Sequence, residues 1–219
     1  MRFEDVRDRL ASVPARLPPA PPELMPVLLP DARGGPPAVP DFPSGPRRDA
    51  AVLILIHPDD EGQAQVILTE RSAGGHRHAG QISFPGGAID DGDESVVAAA
   101  LREAREEVGL DPASAGVEVA GVLATVDVRV SGFLVHPVIA FAGRTPQLTP
   151  DGREVAAIVS APIAAFLPSA PIEIVTAGGD GLRLRYGAYR VGEYLVWGAT
   201  AGILGRLGAY LAASRPIRP

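Results

Sequence analysis

Residues 83–110 read SFPGGAIDDGDESVVAAALREAREEVGL, and the organisation of the chain follows from them. The stretch divides into a glycine turn, an acidic loop and one amphipathic helix. Glu94 or Ser95 stands where a helix would begin, with acidic residues just before it to suit the positive end of the helix dipole. Val97, Ala100, Leu101, Ala104 and Val108 recur at helical spacing, so one stripe faces a core. Gly109 then ends the helix. Glu103, Glu106 and Glu107 are related by three and four residues, which places their carboxylates together on another face. Such a run can be the solvated side of a surface helix. It can also be a cation site, because clustered carboxylates repel one another and hard oxygen ligands suit Mg2+ or Mn2+, ions that also bind diphosphate. The preceding Pro85-Gly86-Gly87 turn favours the second reading, since it bends sharply and lets backbone approach a ligand.

Composition narrows the chemistry. A chain of 219 residues, 46% hydrophobic, is long enough to bury one good core. A net charge of −6 argues against a general nucleic-acid binder. Cysteine is absent, which excludes disulfides, thiol catalysis and zinc–thiolate sites. Lysine is absent too, so a phosphate-loop lysine, a Schiff base and a lysine general base are excluded. No run approaches the ~20 apolar residues of a membrane span, and MRFEDVRDRL does not read as a secretory signal. A soluble cytoplasmic protein that binds neither membrane nor nucleic acid is expected.

Outward from the central stretch, Phe3, Val6, Leu10 and Val13 predict a short N-terminal helix. Residues 14–46 are proline-dense and charge-poor, which predicts an arm without regular structure. Its cluster Leu24, Met25, Val27, Leu28 and Leu29 favours wrapping on the domain over a free tail, and crossing to a second subunit would make a homodimer. The expected organisation is residues 1–48 as helix and arm, 49–213 as one domain, and 214–219 as a tail. AAVLILIHP predicts a buried strand, with QAQVILTER its hairpin partner after Asp59-Asp60-Glu61-Gly62. Arg71, His76, Arg77 and His78 then gather just ahead of the glycine turn; they either balance surface charge or bind phosphate oxygens. Residues 117–141 predict two strands joined near Ser131-Gly132, with His136 as an ordinary strand histidine. Residues 172–211 predict a hairpin and a final helix, with Trp197 in the core where they join.

The central stretch resembles the Nudix box, G-x5-E-x7-R-E-U-x-E-E-x-G-U, where U is aliphatic. Glu94, Arg102, Glu103, Glu106, Glu107, Gly109 and Leu110 fall on it. Ala104 is small for a U position, and the loop is one residue longer, with Gly87 seven before Glu94. VILTERSAGGHRHAGQISFPGG is similar to the signature of the coenzyme A pyrophosphatase branch, L-L-T-x-R-S, three residues, R-x-H-x-G-Q, then F-P-G-G. Leu68, Thr69, Arg71, Ser72, His78, Gly80, Gln81 and Phe84 to Gly87 match; His76 holds the second arginine position, with Arg77 beside it. SGFLVHPVIAF and WGATAGIL are similar to two further segments of that branch, and the resemblance spans roughly residues 50 to 212.

The resemblance implies a Nudix α/β/α sandwich with a mixed sheet and a loop–helix–loop catalytic motif. It implies Mg2+ or Mn2+ held by Glu103, Glu106 and Glu107, with Arg102 orienting Glu103 and Glu94 bracing the loop. Glu154, in a loop that returns toward the helix, is an extra ligand, a general base or an ordinary surface glutamate. Arg71, His76, Arg77, His78, Gly86 and Gly87 would bind substrate. The implied reaction is hydrolysis of coenzyme A or acyl-CoA to 3′,5′-ADP and 4′-phosphopantetheine. Two alternatives stay open: another nucleoside diphosphate derivative (ADP-ribose, a dinucleotide or a nucleoside triphosphate), or a non-catalytic nucleotide-binding domain.

Overall fold

The computed structural model describes residues 1–30, 35, 37, 43, 45–72, 80–179 and 182–213. The elements in chain order are α1 (Phe3–Arg9), β1 (Val27–Leu29), β2 (Arg48–Pro58), β3 (Ala64–Arg71), β4 (Ile82–Ser83), β5 (Gly86–Ala88), α2 (Val96–Val108) and α3 (Pro112–Ala115). They continue with β6 (Val117–Val122), β7 (Val126–Val128), β8 (Phe133–Ala142), β9 (Val155–Pro162), β10 (Glu173–Gly179), β11 (Leu182–Val191), β12 (Tyr194–Trp197) and α4 (Gly198–Ala213).

The AVLILI run of β2 is apolar on both faces because both faces are covered. Ala51, Leu53 and Leu55 pack under α2 with Ala99, Ala100, Ala104 and Val108, whereas Ile54 and Ile56 pack on the other side with α1 and α4. The mixed sheet runs β4-β3-β2-β8-β6, with β5 added on β2, β7 on β8 and β9 on β3. The β2–β8 pairing is parallel, in register from Arg48↔Phe133 to Ile56↔Phe141, and the other ladders are antiparallel. This is an α/β architecture with helices on both faces of a mixed sheet. No helix among the described residues is long and apolar enough to cross a membrane.

The predicted hairpin β2–β3 is present, its turn tied by Asp59 Oδ1, which accepts from the Glu61 and Gln63 N–H groups. Three expectations need correction. The arm carries regular structure: Pro22–Leu24 form a 3-10 turn, and β1 pairs with β11. Within its apolar cluster Leu24 is buried, while Met25 and Val27 are exposed. Residues 117–142 form three strands, because a register shift opposite β8 between Val119 and Gly121 bends the first one and the pairing lapses before β7. Residues 173–197 likewise form three strands, which with β1 make a second, antiparallel sheet ordered β1-β11-β10 with β12 on β11.

Candidate active site

Local chemistry sets α2 in place. Ser95 caps it, its Oγ accepting from the Ala98 N–H at 3.1 Å, and Gly109 closes it in the left-handed conformation with φ 65°. Alanines at 99, 100 and 104 let the helix lie close to the sheet. That close approach also draws in a carboxylate. Glu107 is 6% exposed, and its Oε2 accepts the Gly86 N–H at 2.9 Å. Gly86 belongs to β5 and has φ 150°; a Cβ there would collide with the Ala51 carbonyl. At Gly87 a Cβ would stand 2.6 Å from the Glu103 carboxyl carbon. Both glycines thus serve the glutamates: one donates to Glu107, and the other leaves the space that Glu103 fills.

The electrostatics are those of crowded, partly dehydrated anions. Burial pushes the Glu107 carboxyl up to about 7; its Gly86 hydrogen bond and the Arg71 charge oppose this, and the charges of Glu103 and Glu154 add to it. Burial also raises Glu103, against the pull of Arg102, with Glu106 and Glu154 adding to the rise. The charge of Glu154 therefore reaches both Glu103 and Glu107 although it lies far along the chain. Backbone bonds bring it there. The Thr149 and Asp151 N–H groups donate to the Val108 and Glu107 carbonyls, and Asp151 Oδ1 accepts from the Glu154 and Val155 N–H groups. Glu106 stands apart, its side chain 60% exposed and 3.4 Å from Arg102.

Arg102 orients Glu103, donating to its Oε1 at 2.8 Å. It also donates to the Ala88 carbonyl and, through Nε and Nη2, to both oxygens of Asp93. Asp93, chiefly through that hydrogen bond, holds the guanidinium far above its ordinary pKa, and Arg102 in turn lowers the Asp93 carboxyl. The loop brace is therefore Asp93. Glu94, expected in that role, is exposed. The extra loop residue explains the exchange: Glu94 keeps its spacing to Arg102, whereas Asp93 is six residues past Gly87, as in the box.

Arg71 ends β3 beside Glu107, and its backbone bonds Gln81 and Gly80. His76, Arg77 and His78 lie outside the described residues. His136 is a satisfied strand histidine, bonded to Asp49 Oδ1 at 2.7 Å and Thr125 Oγ1 at 3.2 Å. Trp197 stands at the join of β12 and α4 but is half-buried rather than core, stacked on Tyr186.

The donor set fits a divalent cation. Glu103 and Glu107 are dehydrated oxygen donors, each destabilised further by neighbouring carboxylates, and a cation would relieve both. Among the described residues no three carboxylates or imidazoles converge to hold an ion by themselves. Water and substrate oxygens would complete its shell, which is how Mg2+ ordinarily binds beside phosphates.

Known proteins resemble this chain in sequence. A family model described as the NUDIX domain matches residues 46–173. A protein described as uncharacterized Nudix hydrolase NudL from Escherichia coli O7:K1 is 44% identical over 163 residues, covering 73% of this chain and 81% of its own. Its counterpart from Citrobacter koseri is 43% identical over 164 residues, covering 74% and 81%. Among solved structures, a Nudix hydrolase from M. smegmatis, RenU, matches with 27% identity and a TM-score of 0.46, covering 63% of this chain and 80% of that one.

Proposed function

The chain belongs to the Nudix family, whose hydrolases act on pyrophosphate bonds, and on that premise we propose that it hydrolyses the diphosphate of coenzyme A or acyl-CoA. The products would be 3′,5′-ADP and 4′-phosphopantetheine or its acyl derivative. The observation that carries a diphosphate substrate is the meeting of Glu107 with Gly86 and of Glu103 with Gly87, within reach of the charges of Glu154 and Arg71. The choice of coenzyme A rests on the signature from Leu68 to Gly87.

Glu103 and Glu107 would hold the cation, with Glu106 as an outer ligand. When bound, Mg2+ or Mn2+ neutralises diphosphate charge and makes water more acidic. Arg102 keeps the Glu103 carboxylate turned toward Gly87, and Asp93 keeps Arg102 in place. Arg71, and with it His76, Arg77 and His78, would bind phosphate oxygens through charge-assisted hydrogen bonds. Water attacks one phosphorus in line: its oxygen bonds to phosphorus, its proton passes to Glu154, and the bridging oxygen leaves on the other phosphate.

The test is an assay with Mg2+ or Mn2+ against coenzyme A, ADP-ribose, NADH and nucleoside triphosphates, with the products identified. The highest kcat/KM is expected for coenzyme A or an acyl-CoA. Preference for ADP-ribose or a triphosphate would move the substrate and keep the reaction. No turnover with any of them would leave a nucleotide-binding domain.

A further inference from the structure

Among the described residues, those assigned to the site supply charge to a diphosphate and nothing to the base of a nucleotide. A surface suited to a base lies in the second sheet. Tyr186 and Trp197 stack with ring centroids 4.8 Å apart and planes at 30°. Trp197 pairs with Ala188, and Tyr186 lies two residues before Ala188 on β11, so both rings stand on one face of that sheet. Tyr189, Val191 and Val196 occupy the alternate positions and enter the hydrophobic core that also holds Ile82 and Phe84. The aromatic pair therefore points away from that core.

The contact between β12 and β4 links the pair to the side of the molecule that carries the glutamates. β12 runs beside β4, where Ile82 faces the shared core and Ser83 consequently faces away from it. Thr69 is the ladder partner of Ser83, and its hydroxyl meets the Ser83 side chain on that side. Arg71, two residues on and past a register shift that follows Glu70, is close enough to Glu107 for its charge to be felt there. Ser83 leads directly into the turn that carries Gly86. Both rings are half-buried, so each keeps some surface for a ligand. Both lie beyond residues 46–173, which the family model matches, and Trp197 opens the WGATAGIL segment noted in the sequence.

We propose that the Tyr186–Trp197 pair is the platform on which the heteroaromatic base of the substrate stacks while its diphosphate lies at Glu103 and Glu107. This rests on the nucleoside diphosphate reading above and adds the recognition element that reading lacks. Stacking suits the task because every base offers a π-face to an aromatic ring.

Trp197 is the sole tryptophan, so its fluorescence reports on the platform directly, without turnover. ADP titrated into the full chain with Mg2+ should quench it saturably, and inorganic pyrophosphate should not. Tyr186→Leu should weaken ADP binding roughly 10-fold by calorimetry and leave pyrophosphate binding unchanged. Trp197→Phe should retain most ADP affinity, since a ring remains, and provides a milder variant should Tyr186→Leu fold poorly. ADP binding with unchanged fluorescence, no ADP binding at millimolar concentration, or equal losses for ADP and pyrophosphate in Tyr186→Leu would each overturn the proposal. Quenching without turnover of any diphosphate would overturn the hydrolase reading alone; turnover of a nucleoside diphosphate without quenching would overturn the platform alone.

Discussion

Asp93 grips Arg102 with both carboxylate oxygens, Oδ1 to Nε at 3.0 Å and Oδ2 to Nη2 at 2.9 Å. The same guanidinium donates to Glu103 at 2.8 Å, so a loop carboxylate sets the direction of a carboxylate assigned to the cation. Partners at one remove from a metal ligand typically matter about 10- to 100-fold. Asp93→Asn should therefore lower kcat by roughly 10-fold or more, and Glu94→Gln should leave it near wild type. The reverse ranking in a steady-state assay would return the brace to Glu94.

The pH dependence follows from Glu107. Its folded carboxyl is raised to about 7 from an ordinary 4.5, so the metal-free fold favours the protonated form. Its contribution is fully present below pH 4.5 and is lost as pH rises through 7. At about 1.4 kcal/mol for each tenfold in proton affinity, the loss is on the order of 3 kcal/mol. Thermal melting in chelator should show Tm falling across that range. Glu107→Gln should flatten the trend, and the Tm gain from added Mg2+ should grow with pH. An identical slope in wild type and variant would remove Glu107 as its source.

The N-terminal segment bears on stability. Phe3, Val6, Leu10 and Leu24 are each at most 3% exposed in the core shared with the sheet, and Phe3 meets Phe141 edge-on at 5.9 Å. Burial of such side chains is worth about 2 kcal/mol each, against a whole-domain stability of about 5–15 kcal/mol. Deleting the first 45 residues should therefore leave the protein unfolded or aggregated. Phe3→Ala should cost about 3 kcal/mol while kcat at 25 °C stays near wild type in the folded fraction. An unchanged melting curve for the truncation would mean that the segment contributes nothing to the fold.

Locally determined features were the legible ones. The helix start at Glu94 or Ser95, the stop at Gly109 and the buried apolar run of β2 follow from neighbouring residues, and each is readable from them; the structure places the cap at Ser95. β1 was not, because three residues in a proline-rich arm become a strand only by pairing with Arg183 to Arg185, far along the chain. Choosing between Asp93 and Glu94 needed the loop's path, since adjacent carboxylates look alike in sequence. The spacing of Glu103, Glu106 and Glu107 does not reveal which is buried; the burial of Glu107 comes from the close approach of β5, which separates it from exposed Glu106. The stacking of Tyr186 on Trp197 depends on strand register, which the spacing of residues 172–211 does not specify.

The central claim is that Glu103 and Glu107 form the centre of a cation-dependent diphosphate hydrolase. Turnover of Glu103→Gln and Glu107→Gln at saturating Mg2+ tests it most directly, because each change keeps side-chain shape and removes charge. In Glu107→Gln the side-chain amide oxygen could still accept the Gly86 N–H, so the loss of charge is isolated from the loss of that bond. With helical content retained, kcat should fall by at least ~100-fold in each variant. Near-normal turnover in both would contradict the claim.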